Sequence, residues 1–445
     1  MAQADEAART GTTTGTAAPQ SPEDVLRSAG YTRLLILAAI VGAPISAAAY
    51  FFLQLVSGLQ SWTYTDLPRA LGFATAPVWW PFPVLAVAGL IVGAVIRYLP
   101  GQGGHSPADG FKTGHVPVPR DLPGILLAAL VGLGLGVVLG PEAPLIALGG
   151  GLGVLALHAF RRGADGRTTA VLAATGSFAA ISALLGSPIL GAFLLMEASL
   201  AAGAALGVIL LPGLLAAGIG SLIFLGLDSL TGLGTASLTL PGLPAFGTTD
   251  IVEFGWAVLV GLLAALVGVV IHRLTAVVRR QVEPRIVVAG PVVGVVVAGL
   301  AVLAAVLSGH DVSFVLFSGQ EALGPLLLGS AGWSVPALVI VLVAKVLTYA
   351  LCLASFRGGP IFPALFIGAA GGVLLSHLPG LPLVAGAAIG IGAMSVVMLR
   401  LPLTSVLLAT LLLGADGLAV MPLVIVAVVV AHVTAARLAP APPTV

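Results

Sequence analysis

Two proline-rich interruptions of long apolar runs carry the residues best suited to chemistry in this sequence. The first is Gly140-Pro141-Glu142-Ala143-Pro144 and the second is Gly359-Pro360-Ile361-Phe362-Pro363. At each, a new helix is predicted to begin. A helix that begins inside a membrane leaves its first N–H groups unpaired, and these, with the positive end of the helix dipole, favour an anion. The interruptions therefore predict an anion site, with kinks or close-packing sites as the alternative.

Glu142 is the most informative single residue, because its carboxylate falls in the first turn of one of these predicted helices. Ionisable residues inside a membrane are usually functional. The carboxylate would compete with a bound anion for the same helix N-terminus, and protonation would release it. This predicts a gate that responds to protons. The alternative is an ordinary acidic cap near the membrane interface.

A third candidate is the glycine-rich segment Gly101-Gln102-Gly103-Gly104-His105-Ser106-Pro107, which precedes a short segment ending near Gly114. Its backbone N–H groups and the Ser106 hydroxyl could hold an anion. An ordinary polar loop after Pro100 is equally consistent with these residues.

Two more ionisable residues lie in apolar runs. Glu197 follows Pro188 by about two and a half helical turns and is either a step on a proton path or a helix-end residue. Lys345 is either a fixed cation beside the pathway or a side chain that reaches to the interface. The histidines show no metal-ligand spacing, so neither a metal nor another cofactor is predicted.

The elements that must position these residues are apolar throughout. The 445 residues include 18 Lys and Arg, 17 Asp and Glu, and 58% hydrophobic residues, with a mean hydropathy of +1.14. This composition excludes a soluble fold and predicts an all-α protein that crosses the lipid bilayer many times. The net charge of +1, without a long basic run, excludes nucleic acid as a partner. Cys352 is the only cysteine, which excludes an intramolecular disulfide and cysteine-ligated clusters.

The predicted organisation is one membrane domain over 28–438, with a disordered cytoplasmic tail at 1–27 and a short tail at 439–445. Basic residues in the loops around 161–167 and 273–285 predict that both face the cytoplasm. The stretch 228–250 has no Lys or Arg, and one helix, about 251–272, separates it from the second basic loop. This stretch is therefore predicted to lie outside. Apolar segments begin near the following residues: Leu34, Val84, Gly124, Thr168, Ala202, Ile251, Ile286, Pro336, Leu381 and Ala419.

Two halves, about 28–226 and 251–438, repeat each other. At an offset of 219 residues the sequence gives seven identities, and the second set of matches follows at an offset of 214. Repeated halves with broken helices predict a transporter-type fold with its site near the bilayer midplane. The first set is Gly140/Gly359, Pro141/Pro360, Pro144/Pro363, Gly149/Gly368, Gly153/Gly372, Val154/Val373 and Leu155/Leu374, and the second is Gly176/Gly390, Ala179/Ala393 and Pro188/Pro402.

These motifs resemble those of the chloride channel (CLC) family of chloride channels and proton/chloride exchangers. The resemblance extends from Leu34 to Arg437, and its two main motifs are those around Glu142 and Ile361. It implies a homodimer with one anion pathway per subunit, built from inverted halves. It assigns the gating role to Glu142. The resemblance assigns anion binding to the following residues: Gly104, His105, Ser106, Pro107, Gly140, Pro141, Ala143, Gly359, Pro360, Ile361 and Phe362.

The chain departs from the family pattern at several of these positions. Gly104 replaces a serine whose hydroxyl contacts the anion, and Ser106 comes two places later. Pro360 has no N–H to donate. The family's inner tyrosine has no counterpart, since the last tyrosine is Tyr349, and Ala198 stands where many exchangers have a proton-carrying glutamate. No counterpart of the nucleotide-binding pair of larger relatives is expected, so the resemblance implies no nucleotide regulation.

The predicted function is transport of chloride or another small anion, as a channel or as a proton/chloride antiporter. A cation-coupled transporter of an organic solute also uses repeated broken helices, but it needs a cation site, and the apolar runs offer only scattered Ser and Thr. An intramembrane enzyme would need a Ser/His pair, an HExxH run or paired aspartates, and none is present.

Overall fold

The computed structural model describes residues 26–111, 118–160, 166–199, 206–234, 242–247 and 249–438. Most of the predicted N-terminal tail, all of the C-terminal tail, and the predicted helix start near Ala202 lie outside these residues. Lys112 to Pro117, which cover the predicted segment end near Gly114, lie outside them too.

Sixteen α-helices make up nearly all of the described chain. Apolar runs form them because a bilayer offers no partner for backbone groups, which must then pair within the helix. The helices are α1 Ala29–Ser61, α2 Leu67–Ala70, α3 Pro81–Tyr98, α4 Leu122–Gly134, α5 Glu142–Phe160, α6 Gly166–Leu184, α7 Pro188–Ala198, α8 Leu206–Thr231, α9 Ile251–Val282, α10 Ile286–Ser308, α11 Gln320–Leu328, α12 Val335–Ser355, α13 Ile361–Leu375, α14 Leu383–Leu399, α15 Pro402–Leu412 and α16 Gly417–Leu438.

Seven helical segments of the described chain are long and apolar enough to cross a membrane. The protein is therefore an integral, multi-pass membrane protein. Five shorter apolar helices, α6, α7, α13, α14 and α15, accompany them. The helix predicted to end near His272 continues to Val282, so Arg273 and Arg279 lie on α9 rather than in a loop. Leu274 and the run Ala276, Val277 and Val278 lie between these arginines, so the helix continues through them.

The predicted repeat is visible in the packing of glycines. In the first half, a Cβ on Gly149 would meet the backbone of Gly176, where α5 crosses α6. In the second half, Gly368 meets the backbone of Gly390 in the same way, where α13 crosses α14. These four glycines are the residues that the two sequence offsets match. Backbones approach closely at both crossings because glycine has no side chain to separate them.

The halves are inverted. The first helix of the pair, α5, runs from the centre to the end of the molecule where α4 begins, since Gly151 packs against Leu122. The matching helix α13 runs to the opposite end, where the His377 ring lies 3.2 Å from the carbonyl of Trp333, just ahead of α12. Equivalent helices that leave the centre in opposite directions are related by a two-fold axis in the membrane plane.

We call the two ends of the molecule the inner end and the outer end. The inner end carries Gln102, Arg357 and Arg279, and the outer end carries Gly234 and Trp333. Helix α12 connects them, since it begins after Trp333 and ends before Arg357. Its 21 residues span about 31 Å, the thickness of the bilayer core.

Candidate functional site

The two interruptions meet at the centre of the molecule. Gly140 and Gly359 form an isolated antiparallel bridge, in which the N–H of Gly140 donates to Gly359 O at 2.8 Å. The N–H of Gly359 donates back to Gly140 O at 2.6 Å. These residues match in the repeat, so the pseudo-two-fold axis passes through the bridge. A Cβ on either glycine would overlap the carboxylate of Glu142, so both glycines leave room for this side chain in its observed position.

The Glu142 side chain, on the first residue of α5, reaches across the bridge to the other half. Its Oε1 accepts a hydrogen bond from the backbone N–H of Phe362 at 2.9 Å. The residue is completely buried, and Oε2 has no hydrogen-bond partner among the described residues. A buried carboxylate with one unsatisfied oxygen is costly unless a positive group compensates it. Here that group is the N-terminus of α13.

The start of α13 explains which backbone group takes part. Pro360 caps the helix, Ile361 is its first residue, and Pro360 has no N–H. The N–H that donates to the carboxylate belongs to Phe362, one of the residues to which the resemblance assigns anion binding. The matching break is ordered in the same way, with the N–H of Leu145 donating to Pro141 O at 3.0 Å.

Helix α12 supports the site with one stripe of polar side chains. Lys345, Tyr349 and Cys352 follow one another at helical spacing, and all three are buried. The Tyr349 hydroxyl donates to Pro360 O at 2.8 Å. The N–H of Val138 donates to Cys352 Sγ at 3.4 Å. Cys352 thus holds the backbone just before the first break, and Tyr349 holds the backbone within the second.

Lys345 does not reach an interface, so the alternative of an interfacial lysine is wrong. Its Nζ donates to the carbonyls of Leu316 and Phe317, both at 3.0 Å, and lies 4.9 Å from the Phe366 ring centre. Carbonyl dipoles and an aromatic face together stabilise a buried cation. Phe317 adopts a left-handed backbone with φ of +59°, which its carbonyl contact with the ammonium supports.

A cavity of about 860 Å³ leads from the outer end towards the site. Gln54, near Gly234, marks its outer rim, and Pro141, next to Glu142, lies at its inner limit. Phe317 forms part of the wall, where it packs edge-on against Tyr64 with ring centres 5.1 Å apart. We call this cavity the outer vestibule.

The glycine-rich segment lies at the inner end. Residues Gly101 to Gly104 all have positive φ, and the N–H of Gly104 donates to Gly101 O at 2.8 Å. A single 3-10 turn, Pro107–Asp109, follows within the described residues, with Ser106 at its start. His105 is exposed and Ser106 is half-buried. The Arg357 side chain joins this segment to the second break, because its Nε donates to Gln102 O at 3.2 Å.

Glu197 binds a different helix N-terminus. Its Oε1 accepts from the N–H of Leu403 at 2.9 Å, and its Oε2 accepts from the N–H and the hydroxyl of Thr404 at 2.8 and 2.7 Å. The residue comes next to last in α7, and its carboxylate lies at the start of α15. Pro188 and Pro402, which begin these helices, match in the repeat. Both Glu142 and Glu197 therefore hold a second-half helix by its N-terminus.

Sequence reasoning missed three residues of this region. In the sequence, Tyr349 stands out only as the last tyrosine, and neither Arg357 nor Phe317 belongs to a motif. The polar stripe of α12 was a detectable signal for Tyr349, since polar residues at helical spacing in an apolar run share one face. No comparable pattern marks Phe317, whose role depends on a lysine 28 residues later in the sequence.

Comparison with known proteins places the chain among ion-transport proteins. The family model described as Voltage gated chloride channel matches residues 88–436. A protein of Escherichia coli O139:H28 (strain E24377A / ETEC), named as ion-transport protein YfeO, is 30% identical over 361 residues, which cover 78% of this chain and 81% of that protein.

Two solved structures share its fold. A slow cyanobacterial Cl−/H+ antiporter superposes with a TM-score of 0.74 at 19% identity, covering 91% of this chain and 95% of that chain. A CLC-type fluoride/proton antiporter superposes with a TM-score of 0.67 at 21% identity, covering 93% and 96%.

Proposed function

Because the chain belongs to the voltage-gated chloride channel family, we propose that it carries chloride or another small anion across the membrane under the control of Glu142. The observation that carries the proposal is the hydrogen bond from Phe362 N–H to the Glu142 carboxylate. The carboxylate is itself an anion bound at the N-terminus of a broken helix, at the centre of the protein. A free anion that takes this place meets the same N–H group and the same helix dipole.

The gating step follows from charge. While ionised, Glu142 holds the N-terminus of α13 and keeps other anions out. Protonation removes the charge that the helix dipole attracts and weakens the bond to Phe362, because a hydrogen bond to a charged acceptor is the stronger one. The neutral side chain then leaves and an anion enters. Anion flux therefore rises as the pH falls.

The route to this site has two parts. From the outer end, an anion enters through the outer vestibule and reaches Pro141 beside the gate. Lys345 lies behind the Phe317 wall of this vestibule, where its Nζ donates to Phe317 O. From the inner end, we assign the approach to the backbone of Gly104, His105, Ser106 and Pro107.

The protein's buried acids argue against a cation-coupled transporter. The acids buried in the described chain are Glu142, Glu197 and Glu253. Each accepts a hydrogen bond from a backbone N–H, the last from Asp250 at 3.1 Å. A carboxylate whose charge is compensated by N–H donors has less charge left to ligate a cation.

The wider setting follows the family resemblance. We propose a homodimer in the plasma or inner membrane, with a separate anion pathway in each subunit. The N-terminus lies on the cytoplasmic side, since α1 ends at the outer end, where the Gln54 amide donates to Gly234 O at 2.9 Å. The basic residues Arg279 and Arg280 lie at the inner end, as the positive-inside rule expects for the cytoplasmic side.

The decisive experiment is anion efflux from liposomes that contain the purified protein, with a chloride gradient imposed and the internal pH recorded. Chloride efflux that drives protons against their gradient identifies an antiporter, and chloride efflux without proton movement identifies a channel. The variant Glu142→Gln should carry chloride at neutral pH as fast as the wild type does in acid, about tenfold above the neutral wild-type rate.

The matched control is Glu253→Gln, which neutralises another buried acid at a helix start but at the outer end, in the capping box of α9. Its flux should keep the wild-type pH dependence. Wild-type protein that moves no anion would refute the proposed function. Unchanged flux and pH dependence in Glu142→Gln would refute the gate alone.

A further inference from the structure

Two arginines at the inner end differ in how their charge is neutralised. Arg279 forms ion pairs with Asp109 at 2.5 Å and with Glu283 at 3.2 Å. Arg357 forms no ion pair within the described part of the chain. Its Nε donates to Gln102 O and its Nη1 to Phe356 O, both at 3.2 Å. Asp109 and Glu283 therefore form their ion pairs with Arg279 rather than with Arg357, although both carboxylates also attract the Arg357 guanidinium at longer range.

The guanidinium of Arg357 retains most of its binding capacity. It has five N–H donors, of which the two carbonyl contacts use two. Burial, together with the nearby positive charge of Arg279, lowers the pKa of Arg357 to about 10, so the side chain stays charged at neutral pH. A half-buried cation with unused N–H donors and no carboxylate partner is a strong attractor for a small anion.

Arg357 lies between the glycine-rich segment and the second break. Its stem lies against Gly103, where an added Cβ would come within 3.3 Å of Arg357 Cγ. In sequence it comes two residues before Gly359 of the central bridge. The guanidinium thus lies where the glycine-rich segment and the second break meet, on the route that the proposed function assigns to an anion between the inner end and Glu142.

We propose that Arg357 is the anion-recruiting residue of the inner end, binding chloride or a similar small anion through its unused N–H groups before the anion moves to the central site. This inference rests on the proposed function. The side chain also supplies a donor to a pathway that has Gly104 in place of a serine hydroxyl. Arg279 makes no such contribution, because its charge is already compensated.

The test is equilibrium exchange of radioactive chloride across liposomes with equal chloride concentrations on both sides, so that protein orientation does not matter. Arg357→Gln should raise the chloride concentration for half-maximal exchange about tenfold while the maximal rate stays within about twofold. Arg357→Lys, which keeps the charge, should recover most of the loss. Arg279→Gln is the matched control and should exchange like the wild type.

A second measurement separates charge from folding. In Arg357→Cys, a positively charged thiol reagent should restore the wild-type concentration dependence, and a negatively charged reagent should weaken it further. The native Cys352 is fully buried, so unmodified wild type gives the background. Both reagents act on the same folded protein, so their opposite effects do not depend on its stability.

Three results would overturn the inference. One is that Arg357→Gln leaves the chloride concentration for half-maximal exchange unchanged. Another is Arg357→Lys as impaired as Arg357→Gln, which would mean that the residue acts by holding the Gln102 carbonyl. A third is an equal loss in Arg279→Gln, which would indicate general surface charge. Wild-type protein that exchanges no chloride would instead refute the proposed function itself.

Discussion

Glu142 and Phe362 are 220 residues apart in sequence, yet the carboxylate of one accepts a hydrogen bond from the backbone N–H of the other. The acid belongs to the first half and the helix N-terminus to the second. The proposed gate is therefore a contact between the halves, and movement of either half would change it. Glu197 makes the second contact of this kind, on α15.

The glycine of the second break should be essential to the gate. In Gly359→Ala, the added Cβ would overlap Glu142 Oε2 and displace the carboxylate, so chloride flux at neutral pH should rise and its pH dependence should flatten. The control is Gly371→Ala on α13, where an added Cβ meets nothing within 4 Å. Liposome flux against pH distinguishes the two, and wild-type behaviour of Gly359→Ala would show that the carboxylate is held elsewhere.

Removal of the Glu197 carboxylate should destabilise the protein. In Glu197→Ala, two backbone N–H groups and the Thr404 hydroxyl lose their acceptor in a buried place, at a cost of roughly 2–4 kcal/mol of unfolding free energy. Thr404→Val removes only the hydroxyl and should cost about 1 kcal/mol. Thermal unfolding in detergent measures both. Equal melting temperatures for Glu197→Ala and wild type would contradict the role as a helix cap.

The Tyr349 hydroxyl should help to hold the gate closed. In Tyr349→Phe, Pro360 O loses its donor and the start of α13 loosens, at a cost of about 1 kcal/mol. The N–H of Phe362 then holds Glu142 less firmly, and chloride flux at neutral pH should exceed the wild-type rate. Tyr98→Phe, at a tyrosine that is 72% exposed, is the control. A flux at or below wild type would argue that the Pro360 contact does not support the gate.

Lys345 should order the wall of the outer vestibule. Lys345→Met replaces the ammonium by an apolar group and leaves the carbonyls of Leu316 and Phe317 without their donor. Hydrogen–deuterium exchange should then increase around Phe317, whose N–H donates to Gly136 O at 3.1 Å, while α13 keeps its protection. Val343→Met, at an exposed position of the same helix, should leave both unchanged. Unaltered exchange at Phe317 would contradict this role.

The sequence predicted what depends on local signals. Helix starts at Glu142 and Ile361 follow from Gly and Pro in apolar runs, and the all-helical fold and the family resemblance are confirmed. The roles of Lys345 and Arg357 could not be predicted, because each depends on which carbonyl its side chain reaches after folding. Gln102 and Arg357 are 255 residues apart, and no spacing in the sequence indicates their contact.

The order of assembly during synthesis follows from the glycine crossings. Gly149 and Gly176 lie 27 residues apart, and Gly368 and Gly390 lie 22 apart, so each helix pair can dock soon after it enters the membrane. Gly140 and Gly359, by contrast, cannot pair until both halves have been inserted. The ribosome delivers the first half complete, with Glu142 buried in an unfinished protein and its helix partner not yet made. A chain truncated before Gly359 would therefore carry a lone carboxylate in the bilayer, which makes it a substrate for membrane quality control.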